Sequence, residues 1–186
     1  MRTFIAVDIP EDIKNTIGDY IKTIRNEFGD SVKWVYPKNL HFTIKFLGDV
    51  EESQIPILEE CVSRAASEIG RFSIELDGVG FFPSEQKPRV IWLGADSGAD
   101  NLLEIYQDLE TCLEEHGYDR EPRPFSPHLT IGRVKKHKFF NTPGRIAEFE
   151  PVQFEASGLA LIKSTLTPNG PVYEKMFESI FDGVMT

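Results

Sequence analysis

Residues 39–48 read NLHFTIKFLG and residues 126–135 read SPHLTIGRVK. In each stretch a histidine stands two positions before a threonine, inside a run that is otherwise largely apolar. A β-strand sends alternate side chains to opposite faces, so His41 shares a face with Thr43, and His128 with Thr130. Phe42, Ile44, Leu129 and Ile131 then point the other way, into a core. Each strand has one side to bury and one side that carries an imidazole and a hydroxyl.

The flanks of the two stretches match as well. Arg2 opens the strand-like RTFIAV, Arg89 opens RVIWLG, and each arginine lies 39 positions before its histidine. Between arginine and histidine each half carries an amphipathic segment, residues 11–29 and 99–117. Ile13, Ile17, Tyr20, Ile21 and Ile24 in the first, and Leu102, Leu103, Tyr106, Leu109 and Leu113 in the second, fall at the three-and-four spacing of a helix face. Gly29 and Gly117 follow as left-handed caps. After the histidine strand the first half offers a helix over residues 51–70 and the alternating FSIELDGVGFFPS, with a bulge expected at Gly78 and Gly80; the second offers VQFEASGLALIKS. Aligning Asp77-Gly78 with Ser157-Gly158 brings Ser84 onto Ser164.

This repetition predicts an α+β fold: bilobal, internally duplicated, with two mostly antiparallel sheets, helices on their outer faces and a central groove. Residues 1–186 read as a single bilobal domain, its repeat running approximately over 1–84 and 88–182. Pseudo-twofold symmetry sets the two histidines opposite each other across the groove.

Composition narrows the classes. In 186 residues, 40 % are apolar and 14 are Phe, which is enough to build a folded domain without disulfide or metal support. The net charge of −10 argues against broad coating of a nucleic-acid duplex, so an anionic ligand must be caught locally. Cys61 and Cys112 lie far apart in helix-like segments and read as reduced core thiols, which together with the lack of a signal peptide or long apolar stretch places the chain in the cytoplasm, off the membrane. A phosphate loop, a G-x-S-x-G elbow and an H-E-x-x-H motif are all missing.

Two imidazoles facing each other suit phosphoryl transfer, one ring taking a proton from the attacking oxygen while the other gives one to the departing oxygen. The reaction calls for no metal. Thr43 and Thr130 are placed to bind the non-bridging phosphate oxygens. His116, at a helix end, and His137, in a basic turn, read as surface residues; Lys135, Lys136 and Lys138 form a run suited to attracting a polyanion. Trp34 reads as core, Tyr36 as an aromatic of the groove rim, and Phe46 as core with base stacking as the alternative.

WVYPKNLHFTIKFLG (residues 34–48) and FSPHLTIGRV (125–134) resemble the two signature stretches of the two-histidine phosphoesterase superfamily. The nearest resemblance is to its RNA 2',3'-cyclic phosphodiesterases, first called 2'-5' RNA ligases, and it extends from RTFIAVDIP to STLTPNGPVYE. It implies metal-independent opening, without a cofactor, of a 2',3'-cyclic phosphate at an RNA 3' end, tRNA fragments among such ends, to leave a 2'-phosphate. It also implies a monomeric enzyme with His41 as acid on the 3'-oxygen and His128 as base for water. Arg133, five residues past the second histidine, is implied as a ligand of the cyclic phosphate. Simple alternation sets Arg133 on the Leu129 side, so it reaches the groove only if the strand bulges after Gly132; otherwise it ends the strand as a surface ion pair. Ser164 and Tyr173 fall in the C-terminal matching stretch without a derived role. Rival readings with the same histidines are 2'-5' RNA ligation and hydrolysis of small cyclic nucleotides; a rival of another class is a non-catalytic RNA-end binding module.

Overall fold

The computed structural model describes residues 1–135 and 146–183; Lys136, His137 and Lys138 lie outside the described residues. In chain order the elements are β1 (Arg2–Asp8), α1 (Glu11–Ile24), β2 (Val32–Trp34), β3 (His41–Asp49), α2 (Ile55–Ser67), β4 (Phe72–Phe82), β5 (Val90–Ala95), α3 (Ala99–Glu115), β6 (His128–Val134), β7 (Val152–Ala156), β8 (Gly158–Thr167) and β9 (Gly170–Ile180). The strands form two sheets, ordered β3-β1-β8-β9 and β2-β6-β5-β4-β7, with every pairing antiparallel. This is the α+β, two-sheet architecture that the duplicated pattern predicts.

The orders correspond strand by strand: β3-β1-β8-β9 in one sheet stands for β6-β5-β4-β7 in the other, with β2 added at an edge. The repeat boundary is nevertheless not the boundary between sheets. β4, from the first half of the sequence, pairs with β5 and β7, whereas β8, from the second half, pairs with β1. The halves exchange two strands each, β2 and β4 for β8 and β9, which ties the two histidine-bearing sheets together through the backbone.

Helix α1 buries Ile13, Ile17, Tyr20, Ile21 and Ile24, the face its spacing predicts. It stops at Ile24 rather than running to Gly29, and the chain continues as a tighter 3-10 segment, Arg25–Ser31, with Gly29 at φ +55°. The tighter winding brings buried Phe28 edge-on to Trp34, at 5.3 Å between ring centroids. Helix α3 ends where expected, with Gly117 in the left-handed region. In β4 the bulge falls between Asp77 and Val79, with Gly78 at φ +67°. Among the described residues no helix is long and apolar enough to cross a membrane.

The two cysteines require a correction. Both are buried, as expected of core residues, but they are joined as a disulfide between α2 and α3, with their Cα atoms 5.6 Å apart. Their separation of 51 residues hides this proximity, because it arises only when the two helices lie side by side. The reading as reduced thiols fails, and with it the argument from cysteine state to a compartment.

Candidate active site

The two histidine strands share an irregularity. In the β1–β3 ladder, Ala6 faces Thr43 and Ile5 faces Lys45, so Ile44 is an extra residue; in the β5–β6 ladder, Trp92 faces Thr130 and Ile91 faces Gly132, so Ile131 is extra. Each bulge lies three positions past the histidine. An extra residue shifts the alternation by one. The residue five past each histidine therefore returns to the histidine face: Phe46 in one strand, Arg133 in the other.

Both line the cleft with His41, Thr43, His128 and Thr130, in a space of about 1000 Å³. Phe46 is 60 % exposed, which overturns its reading as core. Arg133 reaches the cleft through a bulge that precedes Gly132 rather than following it. The glycine serves another contact, since a Cβ there would lie 2.9 Å from Val32 Cγ1 and 3.0 Å from Trp34 Cε3, where β2 closes on β6. Trp34 packs against the core as read, whereas Tyr36 is exposed and stands beside Gly170, outside the cleft lining.

The rings are held alike. His41 Nδ1 lies 2.7 Å from the Asn39 carbonyl oxygen, and His128 Nδ1 lies 2.7 Å from that of Ser126. A carbonyl only accepts, so each Nδ1 carries the hydrogen and each Nε2 is left for proton exchange. Aromatic side chains wall both imidazoles. Phe4 stacks on His41 at 4.7 Å, with Tyr173 edge-on at 5.3 Å. Phe82 stands edge-on to His128 at 4.9 Å, backed by Trp92, whose ring occupies the place a Cβ on Gly80 would take. The cluster that holds Phe4 and Tyr173 includes two small residues, Ala6 and Ala160, which leave room for the rings.

Burial dominates the electrostatics. It pushes His41 from its ordinary 6.5 down to about 4, against the opposing pull of the Asn39 carbonyl and the Asp8 carboxylate; Lys14 and Arg133 push the same way as burial. His128 is also lowered, by burial first and by Arg133, with the Ser126 carbonyl opposing. A histidine that binds its proton less tightly when folded makes the unfolded chain the stronger proton acceptor, so stability is full above pH 6.5 and falls as pH drops from about 6.5 toward 4.

Among the described residues, one group of donors is close enough to share a metal ion, Cys61, Cys112 and His116. It lies by the α2–α3 disulfide and includes none of the cleft residues. His116 Nδ1 donates to the Cys112 carbonyl at 2.9 Å, which ties it to the end of its own helix.

Comparisons with known proteins converge. The chain is 37 % identical over 186 residues to an RNA 2',3'-cyclic phosphodiesterase of Thermotoga maritima, covering 98 % of this chain and 97 % of that one. It is 40 % identical over 182 residues to one of Methanocaldococcus jannaschii, covering 96 % and 99 %. Its fold is similar to that of TT0787 of Thermus thermophilus, with a TM-score of 0.81 at 30 % identity over 98 % of this chain and 99 % of that one. It is also similar in fold to LigT of E. coli, solved with 3'-AMP, with a TM-score of 0.77 at 23 % identity over 97 % and 98 %. The model of the LigT like Phosphoesterase family matches twice in succession, at residues 7–92 and 93–173, each match holding one histidine strand, and the chain belongs to that family.

Proposed function

We propose that this chain hydrolyses the 2',3'-cyclic phosphodiester at an RNA 3' end to a 2'-phosphomonoester by metal-independent acid–base catalysis between His41 and His128. The observation that carries the reading is the opening of both imidazoles into one cleft, each with Nδ1 committed to a carbonyl and Nε2 available. The names of the relatives support RNA as the substrate class.

A neutral imidazole takes a proton from water as its oxygen attacks phosphorus. The P–O3' bond breaks, and the protonated imidazole delivers its proton to O3', so a 3'-hydroxyl and a 2'-phosphate leave. Thr43 and Thr130 donate hydrogen bonds to the non-bridging oxygens, and Arg133 offsets the charge that gathers there. Phe46, exposed on the lobe of His41, offers a face on which the terminal base can stack. The enzyme is expected to act as a monomer.

The test is hydrolysis of an RNA bearing a 2',3'-cyclic phosphate, in excess chelator, with the product phosphate located by NMR. Turnover at the untreated rate with phosphate on O2' is the expected result. Phosphate on O3', or loss of activity restored by a divalent ion, would refute the mechanism; tight binding without turnover would favour a binding module.

Competence requires one protonated and one neutral ring, and both are lowered in the free protein. The pH profile of kcat/KM therefore peaks below 6.5 and falls about tenfold per unit well above its upper apparent pKa, which belongs to the coupled pair. The bound anion favours the protonated form, so the profile of kcat is displaced to higher pH. A kcat/KM optimum above pH 7 would contradict the desolvation argument.

A further inference from the structure

The cleft face of the sheet β3-β1-β8-β9 is organised in rows. Thr43, Ala6 and Ala160 lie side by side in the first, on β3, β1 and β8. Phe46, Phe4 and Ile162 form the second. The third begins with Asp49 opposite Arg2, continues to Ser164, next to Lys163 which faces Thr3, and ends at Tyr173 opposite Ser164. Arg2, Ser164 and Tyr173 thus present a guanidinium and two hydroxyls from three adjacent strands, and all three residues line the cleft.

None of these polar ends has a hydrogen-bond or ion-pair partner among the described residues, and Asp49 makes no ion pair with Arg2. Arg64, Arg71, Arg120 and Arg123 each pair with a carboxylate, whereas Arg2 shares with exposed Arg25 and Arg89 the lack of an ion pair among the described residues, but unlike Arg25 and Arg89 it lines the cleft. Arg2 and Ser164 are also set apart from the reacting phosphate, whereas the Tyr173 ring leans back edge-on to Phe4 at 5.0 Å and to His41 at 5.3 Å. Arg2 lies two residues along the strand from Phe4, about 7 Å, and four from Ala6, about 13 Å. The order along the face is therefore phosphate-binding hydroxyl, aromatic platform, then donors, the order of phosphate, base and next phosphate along a nucleotide chain.

We propose that Arg2 and Ser164 form a second phosphate subsite, which takes the phosphate on the 5' side of the terminal nucleotide and makes the enzyme prefer an oligonucleotide end to a nucleoside cyclic phosphate. The proposal rests on the cyclic-phosphodiesterase reading and assigns the part of the substrate that reading leaves open. A planar guanidinium with a neighbouring hydroxyl suits a phosphate oxygen pair, and charge-assisted hydrogen bonds are the strong ones. The shared ligand chemistry is a phosphate one nucleotide away from the reacting phosphorus, whether a phosphodiester of RNA or a 5'-phosphate.

The experiment compares kcat/KM for three substrates: a nucleoside 2',3'-cyclic phosphate, its 5'-phosphorylated form, and a dinucleotide ending in the cyclic phosphate. Arg2→Gln, at an exposed strand end, is expected to lower the ratio of dinucleotide to nucleoside by about 10- to 100-fold, Ser164→Ala by a few-fold, with Arg2→Lys intermediate. A 5'-phosphorylated nucleoside that responds like the dinucleotide means a monoester suffices; a response of the dinucleotide alone assigns the subsite to the internucleotide diester. A ratio unchanged in Arg2→Gln, or all three substrates falling in parallel, overturns the proposal. If the wild-type chain hydrolyses none of them, the cyclic-phosphodiesterase reading fails, and binding of a dinucleotide ending in a 2'-phosphate still decides the subsite: Arg2→Gln weakens it at least tenfold or the subsite does not exist.

Discussion

Replacing His41 or His128 with alanine lowers kcat for cyclic-phosphate opening about 10²- to 10⁴-fold, with the fold preserved. Neither ring anchors the core: each makes its one hydrogen bond to a carbonyl two residues upstream in its own segment, and each opens on the cleft. The double variant loses little beyond the worse single, because the rings act as a unit and either is idle without its partner. Activity near wild type in either single variant would remove the basis of the mechanism. The same variants assign the acid. The family resemblance gives the 3'-oxygen its proton from His41, whereas burial makes His41 the harder ring to protonate and favours the proton on His128. A substrate whose leaving oxygen is replaced by a better leaving group rescues the variant that lacks the acid and not the one that lacks the base.

The second large effect is on stability. Lys45, displaced to the core side of β3 by the Ile44 bulge, forms an ion pair with Glu110 of α3; the two residues are 8 % and 2 % exposed. Lys45 Nζ also donates to the Asp119 carbonyl at 3.0 Å, and Glu110 Oε2 accepts from the Glu121 backbone N–H at 3.0 Å. Glu110→Gln leaves the ammonium buried without its counter-charge and is expected to cost about 3–5 kcal/mol in denaturant unfolding. Lys45→Met strands the carboxylate to a similar extent. The double replacement Lys45→Met with Glu110→Leu restores most of the loss, since removing both charges also removes their desolvation. A loss under about 1 kcal/mol in Glu110→Gln would mean that water reaches the pair. The interaction also bears on the site, because the chain that Lys45 and Glu110 grip after α3 goes on through Phe125 and Ser126, which line the cleft, to His128.

Much of this is legible in the chain itself. The helix face of α1, the arginine and histidine strands and the pairing of each histidine with its threonine follow from spacings of two, three and four, which report local geometry; on α3 the spacing finds Leu102, Leu109 and Leu113 but takes half-buried Leu103 and Tyr106 in place of buried Ile105 and Cys112. Strand alternation misplaces Phe46 and leaves Arg133 undecided for one reason: it assumes an unbroken strand, and a bulge has no reliable mark in sequence. Its trace is the identical position of a strand-like Ile in both motifs, three past the histidine. Arg2, Ser164 and Tyr173 stand out in the sequence only as separate landmarks of the repeat and of the C-terminal stretch; that they are neighbours is decided by strand register. Lys45 gives none either, its spacing placing it among the strand's alternating residues without showing a partner.

The amino-acid sequence by itself determined the duplicated strands, the inward face of α1 and the two histidine–threonine pairs, because these depend on backbone periodicity within a few residues. Tertiary structure alone decided the strand exchange between sheets, the Cys61–Cys112 disulfide, the buried Lys45–Glu110 pair and the side of the sheet on which Phe46 and Arg133 stand. Those outcomes depend on which strands and helices become neighbours, and a free energy shared among distant contacts leaves no imprint at any one position.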